Sequence, residues 1–366
     1  MSEAGDYQPA TWAISHDFET ARERYKQSAG RSYSATKEQK SALPESTKNP
    51  GSPTVGSRDR SQYLETSILT TCENPLVIAC DVTNSMLDWP ATMFSKLPYL
   101  ENEAKVYLGN DVEICFVGIG DAFWDKYALQ VRPFTKDQDL PKRMKELIIE
   151  QGGGPPIEES YELAALYFAN NCKMPNAIKS LFIFIGDEMP YDYLAKDLAK
   201  EWTGVDLKEH TTTLSVMREL QKKFSVYLIR KPIIDPKNPQ AAIDVNMRVQ
   251  RKWEKYLGAD HISVLPKPER VVDVIFGIMA KEAGKVEYFE EELKGRQLPD
   301  KKGKEKVETV MVSLETIHRP DPSTSLDAML QGMHPDADPE KTVVYPGKSR
   351  LHRPDDMKTV KTKKLL

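Results

Sequence analysis

The chain has 366 residues, a formal net charge of -4 and a pI near 6.0. That length admits one large domain with appendages or two modest domains, and the near-balanced charge excludes a global attraction for nucleic acid or an anionic membrane. Partners must therefore be sought in local chemistry.

The first stretch, 1–70, is polar and rich in turn formers, as in Leu43-Pro44-Glu45-Ser46 and Asn49-Pro50-Gly51-Ser52-Pro53. Its apolar content is too low for an independent core, so it reads as a flexible arm with at most a charged helix from Asp17 to Lys26. The start, Met1 to Asp6, lacks the basic residues and apolar core of a signal peptide, and no apolar run is long enough to span a bilayer. The four cysteines show no CxxC spacing; Cys80 and Cys115 sit inside apolar runs, while Cys72 and Cys172 lie near element ends. Buried small hydrophobes in a reducing compartment explain the first two, and the expected location is cytoplasmic.

From 71 to 290 apolar runs alternate with helical patterns. The runs Leu76 to Cys80, Val112 to Ile119, Ser180 to Ile185, Phe224 to Ile229 and His261 to Leu265 predict strands. Between and after them, Ala91 to Tyr107, Ile157 to Ala169, Thr211 to Lys222, Ile243 to Leu257 and Glu269 to Ala283 predict helices. Strands apolar at nearly every position need cover on both faces, which predicts an α/β fold with a doubly wound, mostly parallel sheet between helices. Tyr127 to Phe134 alternates and follows the preceding strand after a short link, so it predicts one antiparallel edge strand. The remainder, 291–366, reads as a polar extension and tail, with one further strand expected over Val307 to Leu314.

The chemistry concentrates where the first strand ends. Asp81-Val82-Thr83-Asn84-Ser85 places a carboxylate and two hydroxyls at alternate positions, an outline suited to Mg²⁺, which takes oxygen ligands and retains waters. In an open parallel sheet, ligands bind beyond the carboxyl ends of the strands where strand order reverses. Asp187, in Gly186-Asp187-Glu188, ends a second such run. Between them in sequence, Gly152-Gly153-Gly154-Pro155-Pro156-Ile157-Glu158-Glu159-Ser160 supplies a glycine turn and more oxygens.

This arrangement resembles the von Willebrand factor A (vWA) domain with its metal-ion-dependent adhesion site. That family carries Asp-x-Ser/Thr-x-Ser after the first strand, a Thr after a Gly-Gly turn and an Asp after the fourth strand. Asp81, Thr83 and Ser85 match the first element, and Asp187 matches the last; the likeness covers about Asn74 to Ala283. The middle element departs, since Pro155-Pro156-Ile157 follows the glycines. Glu158, Glu159 or Ser160 is left to supply the missing oxygen, with Glu159 favoured. A carboxylate in that place makes the site more negative, tightens cation binding and weakens attraction for an anionic partner group.

The resemblance implies a Rossmann-like fold, a cation (Mg²⁺, or Mn²⁺ or Ca²⁺) on Asp81, Thr83, Ser85, Glu159 and Asp187, and a partner protein offering Asp or Glu to the metal. It implies a protein-interaction module of the intracellular microbial type and not an enzyme, with a MoxR-type AAA ATPase as one partner class. Two alternatives stand beside it. One is a scaffold with a vestigial metal site. The other is a Mg²⁺-dependent phosphohydrolase with Asp81 as nucleophile, which the family pattern disfavours because Thr83 stands where such enzymes place a second Asp.

Ordinary structural uses compete at each residue. Asp81, Thr83 and Ser85 are also good helix caps, and Asp187 is also an ordinary loop carboxylate. Gly118-Ile119-Gly120 begins like a dinucleotide fingerprint but lacks the third glycine, since Phe123 stands there. Phe123, Trp124 and Tyr127, with Trp89 and Tyr191, form a candidate aromatic rim, although aromatics are also routine core filler. The histidines, His16, His210, His261, His318, His334 and His352, show no metal-ligand spacing, and the basic end Lys358 to Lys364 reads as a solvated tail.

Overall fold

The computed structural model describes residues 64–318, apart from 87–88, 90–91, 94–99, 101–102, 137–138, 141–142, 144–145, 148–156 and 299–300. The N-terminal arm up to 63, the turn Gly152 to Pro156 and the tail from 319 lie outside the described residues.

Six strands form the central sheet: β1 (Asn74–Asp81), β2 (Val112–Ile119), β3 (Leu129–Val131), β4 (Leu181–Gly186), β5 (Ser225–Arg230) and β6 (Ile262–Val264). Their spatial order is β6-β5-β4-β1-β2-β3, and every pairing is parallel except β2 with β3. The antiparallel edge follows from the link Gly120 to Ala128, which is too short for a parallel crossover. From β1 the chain winds outward through β2 and β3, then returns to β4 on the other side of β1 and continues to β5 and β6. The carboxyl ends of β1 and β4 therefore flank the point where strand order reverses, the place such a sheet offers to a ligand.

All eight residues of β1 are buried. Leu76, Ile78 and Cys80 join one core layer, while Val77 and Ala79 join the other. This alternation, with both faces covered, is why the strand reads as continuously apolar.

The Val77 side is covered by α1 (Tyr161–Asn171), α2 (Lys196–Thr203), α3 (Thr213–Gln221) and α4 (Pro239–Leu257). The first eight residues of α1 are all buried, so it has no polar stripe and runs through the core. The Leu76 side is covered by α5 (Val271–Glu282), α6 (Val286–Gln297), α7 (Gly303–Leu314) and buried residues between Met86 and Leu108.

Two departures from the sequence reading concern the ends of this unit. Val307 to Leu314 is helical in α7, not a strand: Val307, Val310 and Leu314 are buried at the spacing of one helix face. Folded structure thus continues past 290, with Phe289, Leu293 and Ile317 also in the core. Gly277 makes this packing possible, because a Cβ there would overlap the Leu314 side chain. At the other end, Ile68–Leu69 pairs in parallel with Cys172–Lys173. The four cysteines are buried and free, and among the described residues no helix is long and apolar enough to cross a membrane.

Candidate functional site

Asp81 is the last residue of β1, and Asp187 directly follows the last residue of β4. The backbone N–H and hydroxyl of Thr83 both donate to Asp81 Oδ1, at 2.8 and 2.7 Å. Thr83 Oγ1 lies 3.3 Å from Ser85 Oγ, and the Ser85 hydroxyl donates to Asp187 Oδ1 at 3.0 Å. A short 3-10 turn over Asn84–Met86 carries Ser85 into this position. The chain of oxygens thus runs unbroken from one strand end to its neighbour.

Two residues complete the ring. The Tyr161 hydroxyl, at the start of α1, donates to Asp81 Oδ2 at 3.3 Å. Its approach requires Gly186, where a Cβ would overlap the Tyr161 hydroxyl. Lys231, just past β5, places its ammonium 2.9 Å from Asp187 Oδ2 and 2.6 Å from the Ser85 carbonyl oxygen.

Behind this ring lies a buried group of carboxyls. Glu158–Glu159 forms a two-residue parallel pairing with Met189–Pro190, which anchors Glu159 near the β4 end. Glu159 is only 2% exposed, and its Oε2 has no hydrogen-bond partner among the described residues. Burial, and after it the charges of Asp81, Glu188, Asp125 and Asp121, push its carboxyl far above the usual range. Burial and then Asp187 push Asp81 up to about 7, against the opposing Thr83 hydrogen bonds. Glu188 is pushed up to about 8 by burial, then by Asp81 and Asp187. Neutral pH therefore leaves these groups competing for protons, an arrangement that a bound cation would relieve.

The loop after β2 adds Asp121 and Asp125. Asp125 Oδ2 accepts the Asp121 N–H at 2.7 Å, and Asp121 accepts from the Phe123 N–H at 2.8 Å and the Tyr191 hydroxyl at 2.9 Å. Burial pushes Asp125 to about 6. Ser160 braces the same loop, since its Oγ accepts the Ala122 N–H at 3.0 Å and its own N–H donates to the Gly120 carbonyl.

Of the residues singled out in the sequence, Asp81, Thr83, Ser85 and Asp187 are brought into one hydrogen-bonded set. Glu159 lies within their electrostatic reach, whereas Ser160 serves the Gly120–Ala122 loop and Glu158 pairs with Lys252 at 3.1 Å. Tyr161, Lys231, Asp121, Asp125 and Glu188 escaped the sequence reading. One signal for Lys231 was available, a charged pair, Arg230-Lys231, ending an apolar strand. The aromatic rim is corrected in part: Phe123 and Trp124 are about half exposed, with the Phe123 and Tyr191 ring centroids 5.0 Å apart. Trp89 and Tyr127 are buried in the core.

Among the described residues no group of three or more His, Cys, Asp or Glu side chains forms a metal cage. The oxygen set mixes two carboxylates with two hydroxyls instead. Successive oxygens are 2.7, 3.3 and 3.0 Å apart. Neighbouring ligands on a Mg²⁺ octahedron stand about 3.0 Å apart, as its bond length of about 2.1 Å requires. With the unpartnered oxygen of Glu159 nearby, the donor set suits a hard divalent cation.

No protein-family model and no curated protein matches the chain. Similar solved structures include the pilus adhesin SpaC from Lactobacillus rhamnosus GG in its open conformation, at 9% identity and a TM-score of 0.42 over 59% of this chain and 31% of that one. Proximal thread matrix protein 1 from the mussel byssus is similar at 11% identity and a TM-score of 0.38, over 57% of this chain and 48% of that one. A von Willebrand factor type A protein from Catenulispora acidiphila is similar at 16% identity and a TM-score of 0.33, over 58% and 43% respectively. The chain spans less than half the length of each.

Proposed function

We propose that this chain is a protein-interaction module of the vWA type, which holds a divalent cation at the carboxyl edge of its sheet and captures an acidic group of a partner protein. The observation that carries the reading is the oxygen set at the switch point: Asp81, Thr83, Ser85 and Asp187 linked in one hydrogen-bonded chain, with the buried, unpartnered Glu159 Oε2 within their electrostatic reach. Asp81 and Asp187 have partners, but a buried Glu159 with an unpartnered oxygen among other carboxyls is costly unless a cation or protons neutralise it.

Asp81, Ser85 and Asp187 would hold the ion, with Thr83 and Glu159 supporting it directly or through water. When bound, the cation supplies an electrophilic position that a partner's Asp or Glu completes. The chain's own residues do the positioning. Thr83 fixes Asp81 Oδ1, Tyr161 fixes Oδ2, and the half-exposed Phe123 and Trp124 offer apolar contact beside the same edge. No hydrolytic role is assigned, because Thr83 occupies the place of a second acid and its hydroxyl is committed to Asp81. A MoxR-type AAA ATPase partner belongs to this proposal through the resemblance, and a cytoplasmic setting through the cysteine usage.

The test is capture of co-purifying proteins on the immobilised full chain, with Mg²⁺ or with EDTA, for the wild type and Asp81→Ala. Capture that needs Mg²⁺ and is lost in the variant is the expected result; capture indifferent to both sinks the metal bridge. A second reading, a scaffold with a vestigial cation site, draws on the Lys231 ammonium already seated against Asp187. It predicts no thermal stabilisation by Mg²⁺.

A further inference from the structure

We propose that Lys231 is a tethered competitor of the divalent cation: its ammonium closes the site when no cation is bound, and cation binding releases it to the rim, where it attracts the partner's carboxylate. This deepens the metal-bridge reading and rests on it.

Lys231 lies immediately beyond β5, next to β4, and its backbone N–H donates to the Gly186 carbonyl at 2.9 Å. Its ammonium bridges the two loops that form the site, contacting Asp187 Oδ2 on one and the Ser85 carbonyl on the other. Asp187 Oδ1 meanwhile accepts from the Ser85 hydroxyl, so both oxygens of this carboxylate are engaged. A cation held by Asp187 and Ser85 would lie within a few ångströms of the ammonium, and two positive charges so close repel.

The neighbouring cation does not share this role. Arg230 points its guanidinium at α4, donating to Asn246 Oδ1 at 2.7 Å and Gln250 Oε1 at 3.1 Å. Lys231 differs in having somewhere to go: its side chain is 26% exposed, whereas that of Asp187 is 5% exposed. A flexible four-carbon stem lets the ammonium swing to solvent without disturbing β5.

The released charge answers a problem set by Glu159. A carboxylate beside the ion lowers its pull on an acidic partner, and an ammonium freed at the same opening restores that pull. The partner group is thus a carboxylate read by two positive charges, one metallic and one organic.

The experiment pairs calorimetric Mg²⁺ titration of the full wild-type chain and Lys231→Met with acetylation of Lys231 followed by mass spectrometry. Lys231→Met should bind Mg²⁺ about tenfold more tightly, and Mg²⁺ should accelerate acetylation of the wild-type lysine about threefold or more. Wild type and variant binding Mg²⁺ equally, or the variant more weakly, overturns the competition while leaving the metal reading intact. A labelling rate indifferent to bound Mg²⁺ overturns it on the wild-type chain alone, however the variant folds. If neither chain binds Mg²⁺, the metal reading itself fails and the competition with it.

Discussion

The Ser85 hydroxyl donates to Asp187 Oδ1 at 3.0 Å across 102 positions of sequence, latching the loop after β1 to the loop after β4. Because those strands flank the reversal of strand order, this one bond spans the crevice. Ser85→Ala should leave a buried acceptor partly unsatisfied and cost about 1–3 kcal/mol in urea unfolding. A change below about 0.5 kcal/mol would mean that Lys231 alone holds Asp187 in place.

Glu159 separates the cost of the acid cluster from its use. Burial and the neighbouring carboxyls push its pKa far above the usual range, which favours the protonated form in the cation-free chain. Gln imitates that neutral acid in size and shape, so Glu159→Gln should unfold within about 1 kcal/mol of the wild type in EDTA. Mg²⁺ affinity should fall at least about tenfold, since an amide cannot ionise to meet the ion. Calorimetry in two buffers of different ionisation enthalpy should also show that proton release on Mg²⁺ binding shrinks in the variant; undiminished release would clear Glu159 of any part in it.

Stability without a divalent cation should fall as pH rises. Burial pushes Glu162 up to about 8 and Asp125 up to about 6. In the unfolded chain both titrate near pH 4, so between those limits the folded state holds protons that the unfolded state has released. Their contribution is whole below about pH 4 and is lost as pH rises through about 6 and then about 8. The thermal midpoint in EDTA should therefore drop by several degrees between about pH 5 and about pH 8.5. A midpoint that rises over this interval would contradict the protonated, buried state of Glu162.

The sheet was legible because its strands are buried on both faces and read as unbroken apolar runs. The first carboxylate was legible for a local reason: Asp81 and Thr83 form a hydrogen-bonded turn within three residues, and such turns leave a motif. Asp187 could be placed only by assuming which strands are neighbours, an assumption the β1–β4 pairing bears out. Tyr161 left no motif and Lys231 only a charged pair after an apolar strand, since each reaches the site across the fold from another element. Val307 to Leu314 misled for the opposite reason. Its β-branched residues satisfy a strand by propensity, and only packing against α5 decides for a helix.

Gly186 tests the placement of Tyr161. It ends β4 one residue before Asp187, and a Cβ there would overlap the Tyr161 hydroxyl. Gly186→Ala should drive the ring off Asp81 and cost about 1–3 kcal/mol through overpacking. The double variant with Tyr161→Phe should recover part of that loss, because the closest overlap is with the hydroxyl, while the ring carbon bearing it also crowds position 186. Equal losses in the single and double variants would show that the ring or the backbone at 186, and not the tyrosine hydroxyl, carries the constraint.

Leu314 tests whether the unit truly extends beyond 290. Its side chain is fully buried and rests where Gly277 of α5 leaves room, so apolar contact joins α7 to α5. Truncation to Ala removes that contact and opens a cavity between α5 and α7, with an expected cost of about 2–5 kcal/mol. Gly277→Ala should be harmful in the wild type and less so in Leu314→Ala, since the new methyl then enters space the leucine has vacated. A double-mutant cycle measures this coupling directly. If the two losses simply add, the residues do not touch, and α7 would be an appendage to the core and not part of it.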